Sequence, residues 1–227
     1  MNYKEELLNL ASPELKRFNE RIYHTNLPVM GVKIPDLRQL AKRIVSAGQA
    51  EAYLREAALD TVEERMLYGF VIGADRCGWE TFTKRFASFL PLAENWAVCD
   101  CCVSSFRALG REKEAFLPIL DELLRSEEEE MICRVGAVIL LDYYLEEAYL
   151  GMIFERAVWI PAGRYYVDMA VAWLLSVCYV KYRRETAAFL EHCALSDFTY
   201  NKTLQKITES NRVTKEEKEK IRSMKRK

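Results

Sequence analysis

Five short segments decide the fold: Glu64-Arg65-Met66-Leu67, Cys99-Asp100-Cys101-Cys102, Cys133-Arg134-Val135-Gly136, Asp168-Met169-Ala170-Val171 and Asn201-Lys202-Thr203-Leu204. Their second residues are 65, 100, 134, 169 and 202, so the steps between them are 35, 34, 35 and 33. Each segment has the look of the first helix of a helical pair, and amphipathic stretches such as 112–125 and 183–193 supply second helices. A repeat of this length with two helices per unit marks an α-solenoid of the HEAT or TPR kind. The spaced Trp, Gly, Tyr and Pro of a TPR are missing, which leaves HEAT-like packing. A pair of this sort leaves an apolar face uncovered alone and buries it against the next pair. The stacked array curves, and one helix of every pair lines its concave side. The expected first helices are 62–74, 96–107, 130–146, 165–181 and 198–209, followed by a basic helix and tail at 214–227, all in a single domain spanning 1–227.

Helix starts are written locally as well. Ser12-Pro13-Glu14 places a capping side chain before a proline at the first helical position. Thr61-x-x-Glu64, Ser126-x-x-Glu129 and Thr214-x-x-Glu217 fit capping boxes, and Asn95 is placed to cap a helix opening at Trp96. Only 9 Gly and 6 Pro occur in 227 residues, and period-two runs of β-branched residues are nearly absent, so the fold class is all-α. Half the chain is apolar and the 30% charged residues are balanced in sign, which excludes an extended disordered polyelectrolyte. The 7 Cys are an odd number with no regular pairing pattern, and the chain opens without a cationic and then apolar leader. Both point to a reducing, cytoplasmic setting. The most apolar stretch, Met169 to Val180, falls short of the ~20 residues a membrane span needs. The expected molecule is a monomer that engages no membrane.

Net charge conceals an asymmetry. Residues 199–227 hold ten Lys/Arg against four Glu, a balance of +6, which leaves −7 for the rest of a chain whose total is −1. A basic end on an acidic body suits a polyanion, although charge alone favours the plainer reading of a solvated terminal helix with a frayed Lys/Arg tail. If the repeat register holds, Arg65, Asp100, Arg134, Met169 and Lys202 point the same way from successive helices. Charges inside such apolar segments call for partners: either an inter-helix ladder in which Asp100 pairs with Arg65 or Arg134, or a polar stripe along a groove. Trp96 precedes Asp100 by one helical turn, and Trp173 follows Met169 by the same interval, so two indoles and a carboxylate converge on the surface that carries Arg134.

Trp96-Ala97-Val98-Cys99-Asp100, Cys133-Arg134-Val135-Gly136-Ala137 and Ala170-Val171-Ala172-Trp173 resemble the bacterial AlkD-type DNA alkylation repair glycosylases. Met30-Gly31-Val32-Lys33-Ile34-Pro35-Asp36-Leu37-Arg38 is similar to that family's N-terminal motif, and Phe198-Thr199-Tyr200-Asn201-Lys202 with Lys206-Ile207 to its closing repeat. The resemblance implies a HEAT-like fold whose concave face grips duplex DNA, and hydrolysis of the N-glycosidic bond of cationic N3- or N7-alkylpurines while the lesion stays stacked. It implies catalytic roles for Trp96, Asp100 and Trp173 and a backbone-contact role for Arg134. Arg65, Lys202, Lys206 and Arg212 are the further candidate DNA contacts, and the basic tail would track phosphates. Two departures stand out: Leu174-Leu175-Ser176 follows Trp173 where the family often has a basic residue, and Met169 stands where it can carry Lys.

The chemistry can be weighed independently. Loss of a base leaves an oxocarbenium-like sugar, which calls for negative charge and π faces around the ring. A carboxylate about 4 Å from a unit charge contributes about 4 kcal/mol at an effective dielectric near 20, and an indole face about 0.5–2 kcal/mol. That suffices only when the leaving group is already good, as an alkylated cationic purine is. Neither His24 nor His192 is placed by the repeat to act as the general acid a neutral lesion would need. Cys99, Cys101 and Cys102 cannot close a tetrahedral metal site from one helix, so they read as core residues, and no metal or organic cofactor is expected. Glu127-Glu128-Glu129-Glu130 reads as a solvated helix start, and Tyr143-Tyr144 and Tyr165-Tyr166 as packing residues. Two other functions remain open: a non-catalytic binder of branched or damaged DNA, and a protein-interaction solenoid.

Overall fold

The computed structural model describes residues 3–227, and every regular element among them is helical. The chain forms two compact units, one ending at Glu112 and the other spanning Lys113–Lys227.

The first unit contains α1 (Tyr3–Leu10), α2 (Pro13–Ile22), α3 (Ile34–Ser46), α4 (Ala50–Glu56), α5 (Val62–Ala74), α6 (Trp79–Phe89), α7 (Trp96–Val103) and α8 (Arg107–Arg111). Helix α5 is its axis and packs on α3, α4, α6 and α7. From Val62 to Ile72 every α5 residue except Arg65 is buried. The Thr61/Glu64 capping box fixes where it starts. Next in line, the buried Glu63 carboxylate accepts the backbone N–H groups of Met30, Gly31 and Val32 at 2.8, 2.7 and 3.4 Å. Gly31 holds φ +87°, and a Cβ there would lie 2.4 Å from the Ser12 carbonyl oxygen. The Met30–Arg38 motif is thus a loop locked onto the head of α5. Gly69 lets α7 approach α5, since a Cβ would fall 2.5 Å from Cys102 Sγ and 2.9 Å from the Phe89 ring.

The second unit contains α9 (Lys113–Leu124), α10 (Glu130–Tyr143), α11 (Leu150–Trp159), α12 (Tyr165–Lys181), α13 (Arg183–His192), α14 (Asp197–Glu209) and α15 (Lys215–Ser223). Here α12 is central, packed on α10, α13 and α14, while α9 lies on α10 and α15 on α14. Buried Asp168 ties the layers together: it accepts the Thr199 hydroxyl at 2.7 Å and the Gly163 N–H at 3.1 Å. Glu130 accepts the Tyr166 N–H at 2.5 Å. Arg156 grips Asp121 through two bonds of 2.7 and 3.0 Å, joining α11 to α9.

Three helix ends depart from the sequence reading. The helix expected over 96–107 stops at Val103. Ser104 and Ser105 donate their hydroxyls to the Cys101 and Cys102 carbonyls, and the fully buried Phe106 turns inward, edge-on to Phe82, Phe86 and Phe89. Burying such a ring contributes about 1.5–3 kcal/mol, enough to override continuation of a helix. The second expected capping box fails: α10 opens at Glu130 with no side-chain cap, and Arg164 Nη1 instead collects the Ser126 and Glu127 carbonyls at 2.7 and 3.1 Å. At its other end α10 stops at Tyr143, and the buried Tyr144 donates its hydroxyl to the Lys113 carbonyl.

Candidate active site and DNA interface

Helix α7 is eight residues long and its sides are sharply divided. Ala97, Val98, Cys99, Cys102 and Val103 are buried, while Trp96, Asp100 and Cys101 are half-buried. Asn95 caps it, its Oδ1 accepting the Ala97 and Val98 N–H groups at 2.9 and 3.0 Å. Trp96 and Asp100, one turn apart, therefore share the open side. The indole is fixed in place: its Nε1 donates to the Ile22 carbonyl at 2.9 Å, and Tyr23 meets the ring edge-on at 5.7 Å. Burial, with a smaller push from the Glu63 charge, raises the Tyr23 phenol to about 12, so it stays neutral. His24, which follows, takes the left-handed φ of 49°, and the Thr25 hydroxyl donates to Glu94. The turn after α2 thus clamps the start of α7, an arrangement the repeat pattern does not announce.

Beside Asp100, the Cys101 thiol is raised to about 11, chiefly by burial and then by the Asp100 charge, with Arg38 opposing. All seven cysteines are free thiols, and Cys77 and Cys101 are half-buried rather than core. Among the described residues no group of three or more His, Cys, Asp or Glu could hold a metal ion. Arg65 donates from Nε to the Leu59 carbonyl at 3.0 Å and stands 3.5 Å from Glu94. Its charge is partly spent within the unit.

In the second unit, Tyr166, Met169, Trp173, Val177 and Val180 form the half-buried stripe of α12. Trp173 is therefore accessible. Arg134 is 6% exposed, and its Nη1 donates to the Tyr166 carbonyl at 2.8 Å, linking α10 to α12. Lys202 lies over the Phe198 ring at 5.7 Å, Lys206 is half-buried and Arg212 is exposed between α14 and α15. Tyr165 corrects its expectation as a packing residue. At the first position of α12 it is 58% exposed, with Phe198, 44% exposed, tilted against it at 6.4 Å. This aromatic pair beside Lys202 went unrecognised because nothing in the spacing separates an outward-facing first-turn Tyr from a buried one.

The basic tail is anchored rather than loose. Arg226 donates to the Cys193 and Leu195 carbonyls at 2.7 and 2.6 Å and covers the Tyr200 ring at 3.8 Å. Pinned so, the tail closes a cleft of about 660 Å³ in which Lys202, Arg222, Lys225 and Lys227 face a single acid, Asp197. The Thr214/Glu217 capping box sets α15 as expected.

An all-helical chain with a half-open Trp/Asp pair in one unit and exposed aromatics beside clustered cations in the other has the character of a nucleic-acid-processing protein. The family model described as DNA alkylation repair enzyme matches residues 3–215, and the chain belongs to that family. Its field is DNA repair and its partner is DNA. No curated protein and no solved structure matches the chain. No helix among the described residues is long and apolar enough to cross a membrane.

Proposed function

We propose that the protein is a DNA glycosylase that hydrolyses the N-glycosidic bond of cationic N3- or N7-alkylpurines in duplex DNA. The observation that carries this reading is the open side of α7, where Trp96 and Asp100 stand one turn apart while Ala97, Val98, Cys99, Cys102 and Val103 are buried. In the reaction the bond from C1′ to the purine nitrogen breaks, and its electron pair leaves with the base, discharging the alkylpurine's positive charge. Asp100 stabilises the resulting oxocarbenium-like sugar and orients water, which adds to C1′ and loses a proton. Trp96, held by the Ile22 carbonyl and Tyr23, packs on the deoxyribose. Trp173 of α12 is the second candidate indole, and Lys202, Lys206, Arg212, Arg222, Lys225 and Lys227 are the candidate contacts to strand phosphates. Arg65 and Arg134 are further candidate DNA contacts, each also donating to a backbone carbonyl of its own unit, Leu59 and Tyr166 respectively. HEAT-like helical pairs within each unit are supported by the succession α3, α5, α7 in the first and α10, α12, α14 in the second, each packing on the next.

The test is release of 7-methylguanine and 3-methyladenine from methylated duplex by wild type and by Asp100→Asn. The reading requires release by wild type and its loss in the variant with duplex binding retained. Near-wild-type release by Asp100→Asn would remove the carboxylate from the mechanism. Wild type that binds junctions in preference to linear duplex, without releasing base, would identify a non-catalytic binder.

A further inference from the structure

The first unit holds a second charged hollow that the sequence pattern does not single out. A pocket of about 410 Å³ opens where α3, α5 and α8 meet, and its wall carries Arg38, Lys42, Arg76, Arg107 and Arg111. Asp75 is the one acid that lines it, and its carboxylate is already taken by Arg85 at 2.5 Å. Among the described residues no carboxylate comes within 4.0 Å of any of the five cations. Arg38 is held instead by neutral groups: it donates to Ser104 Oγ at 3.1 Å and the Cys101 carbonyl at 3.3 Å, with its guanidinium 5.1 Å from the Phe70 ring. Arg107 and Arg111 are four residues apart on α8 and share a face. Like charges gathered in a concavity repel one another and focus positive potential into it. The compensating ligand is an anion of high charge density, and guanidinium forks fit tetrahedral phosphate oxygens.

We infer that this pocket is a phosphate-binding site. The ligand chemistry is that of phosphate oxygens, supplied by a DNA strand or by a free small phosphate. Ser104 lies four residues beyond Asp100, about 6 Å further along the helix direction, which puts a strand phosphate within the same footprint as the α7 site. The inference does not rest on base excision, because phosphate binding is measured without any lesion.

The experiment compares wild type, Arg107→Gln/Arg111→Gln, and the charge-matched control Arg17→Gln/Arg21→Gln on the exposed side of α2. Each is titrated calorimetrically with pyrophosphate and, separately, with undamaged duplex by fluorescence anisotropy at low salt. Loss of two guanidinium contacts weakens the pocket's ligand roughly tenfold or more, and the control stays close to wild type. A fall in duplex affinity beyond the control's identifies strand phosphates as the ligand. A fall for pyrophosphate alone identifies a free phosphate. A pocket variant that matches the control in both titrations overturns the inference.

Discussion

Helices α7 and α12 each present a half-buried Trp, but they hold it differently. Trp96 is the first residue of a short helix, and its ring is fixed by the Ile22 carbonyl and by Tyr23, both from the turn that ends α2. Trp173 stands in the middle of a 17-residue helix with no side-chain cap, and its indole N–H meets no acceptor among the described residues. One ring is pre-positioned by distant chain; the other is placed by the geometry of its own helix, without a polar tether at its indole N–H. Rigid placement favours a group that must match a transition state, and adaptable placement suits a group that follows the substrate's outline.

The largest effect expected from this contrast lies on α7. Asp100→Asn lowers base release by about 10³-fold, the rate equivalent of about 4 kcal/mol of charge stabilisation, measured by single-turnover release from methylated duplex. Removing either indole costs less. Trp96→Ala and Trp173→Ala each lower release by about 2- to 30-fold, the worth of one π face beside a cation, with the Trp96 change at the upper end because its loss also frees the Tyr23 edge. Equal small losses at both positions would erase the proposed difference in rigidity.

Conservative changes separate the two rings by stability. Trp96→Phe keeps a ring but leaves the Ile22 carbonyl without its donor, which costs about 1 kcal/mol in urea unfolding; Trp173→Phe stays within about 0.5 kcal/mol. The smallest effect is electrostatic. Burial and then the Asp100 charge hold the Cys101 thiol up at about 11, so at pH 8 it is almost wholly protonated and reacts slowly with iodoacetamide. Taking away that negative charge lowers the thiol's pKa and raises the thiolate fraction. Asp100→Asn therefore speeds alkylation of Cys101 a few-fold, about what a fraction of a pKa unit gives, and Arg38→Gln slows it. Mass-spectrometric alkylation rates at pH 8 report both signs.

The parts of the fold that the sequence made legible are those dictated by burial. Helices α5 and α12 span 62–74 and 165–181, the ranges the repeat predicts, because an apolar run this long must be enclosed along its length. The boundaries that went astray were settled by distant groups. The Ser126 capping box did not form because the Ser126 hydroxyl donates to the Glu129 carbonyl, in a loop whose own carbonyls are held by Arg164, 38 residues further on, and α7 ended early because three phenylalanines drew Phe106 inward. Site residues divided in the same way. The one-turn spacing of Trp96 and Asp100 is a local property and could be read directly. How far an arginine in the same column is buried depends on groups distant in sequence, as the bond from Arg134 to the Tyr166 carbonyl, 32 residues on, shows.

Position 69 shows how far the chemistry depends on something missing. Because no side chain stands there, the backbone of α5 is met directly by Cys102 and Phe89. A single methyl group at that point would act as a spacer, lifting the short helix that carries the carboxylate and the clamped indole off its support. Activity would fall with both of those residues intact, the penalty of shimming a hinge rather than of blunting the tool it carries.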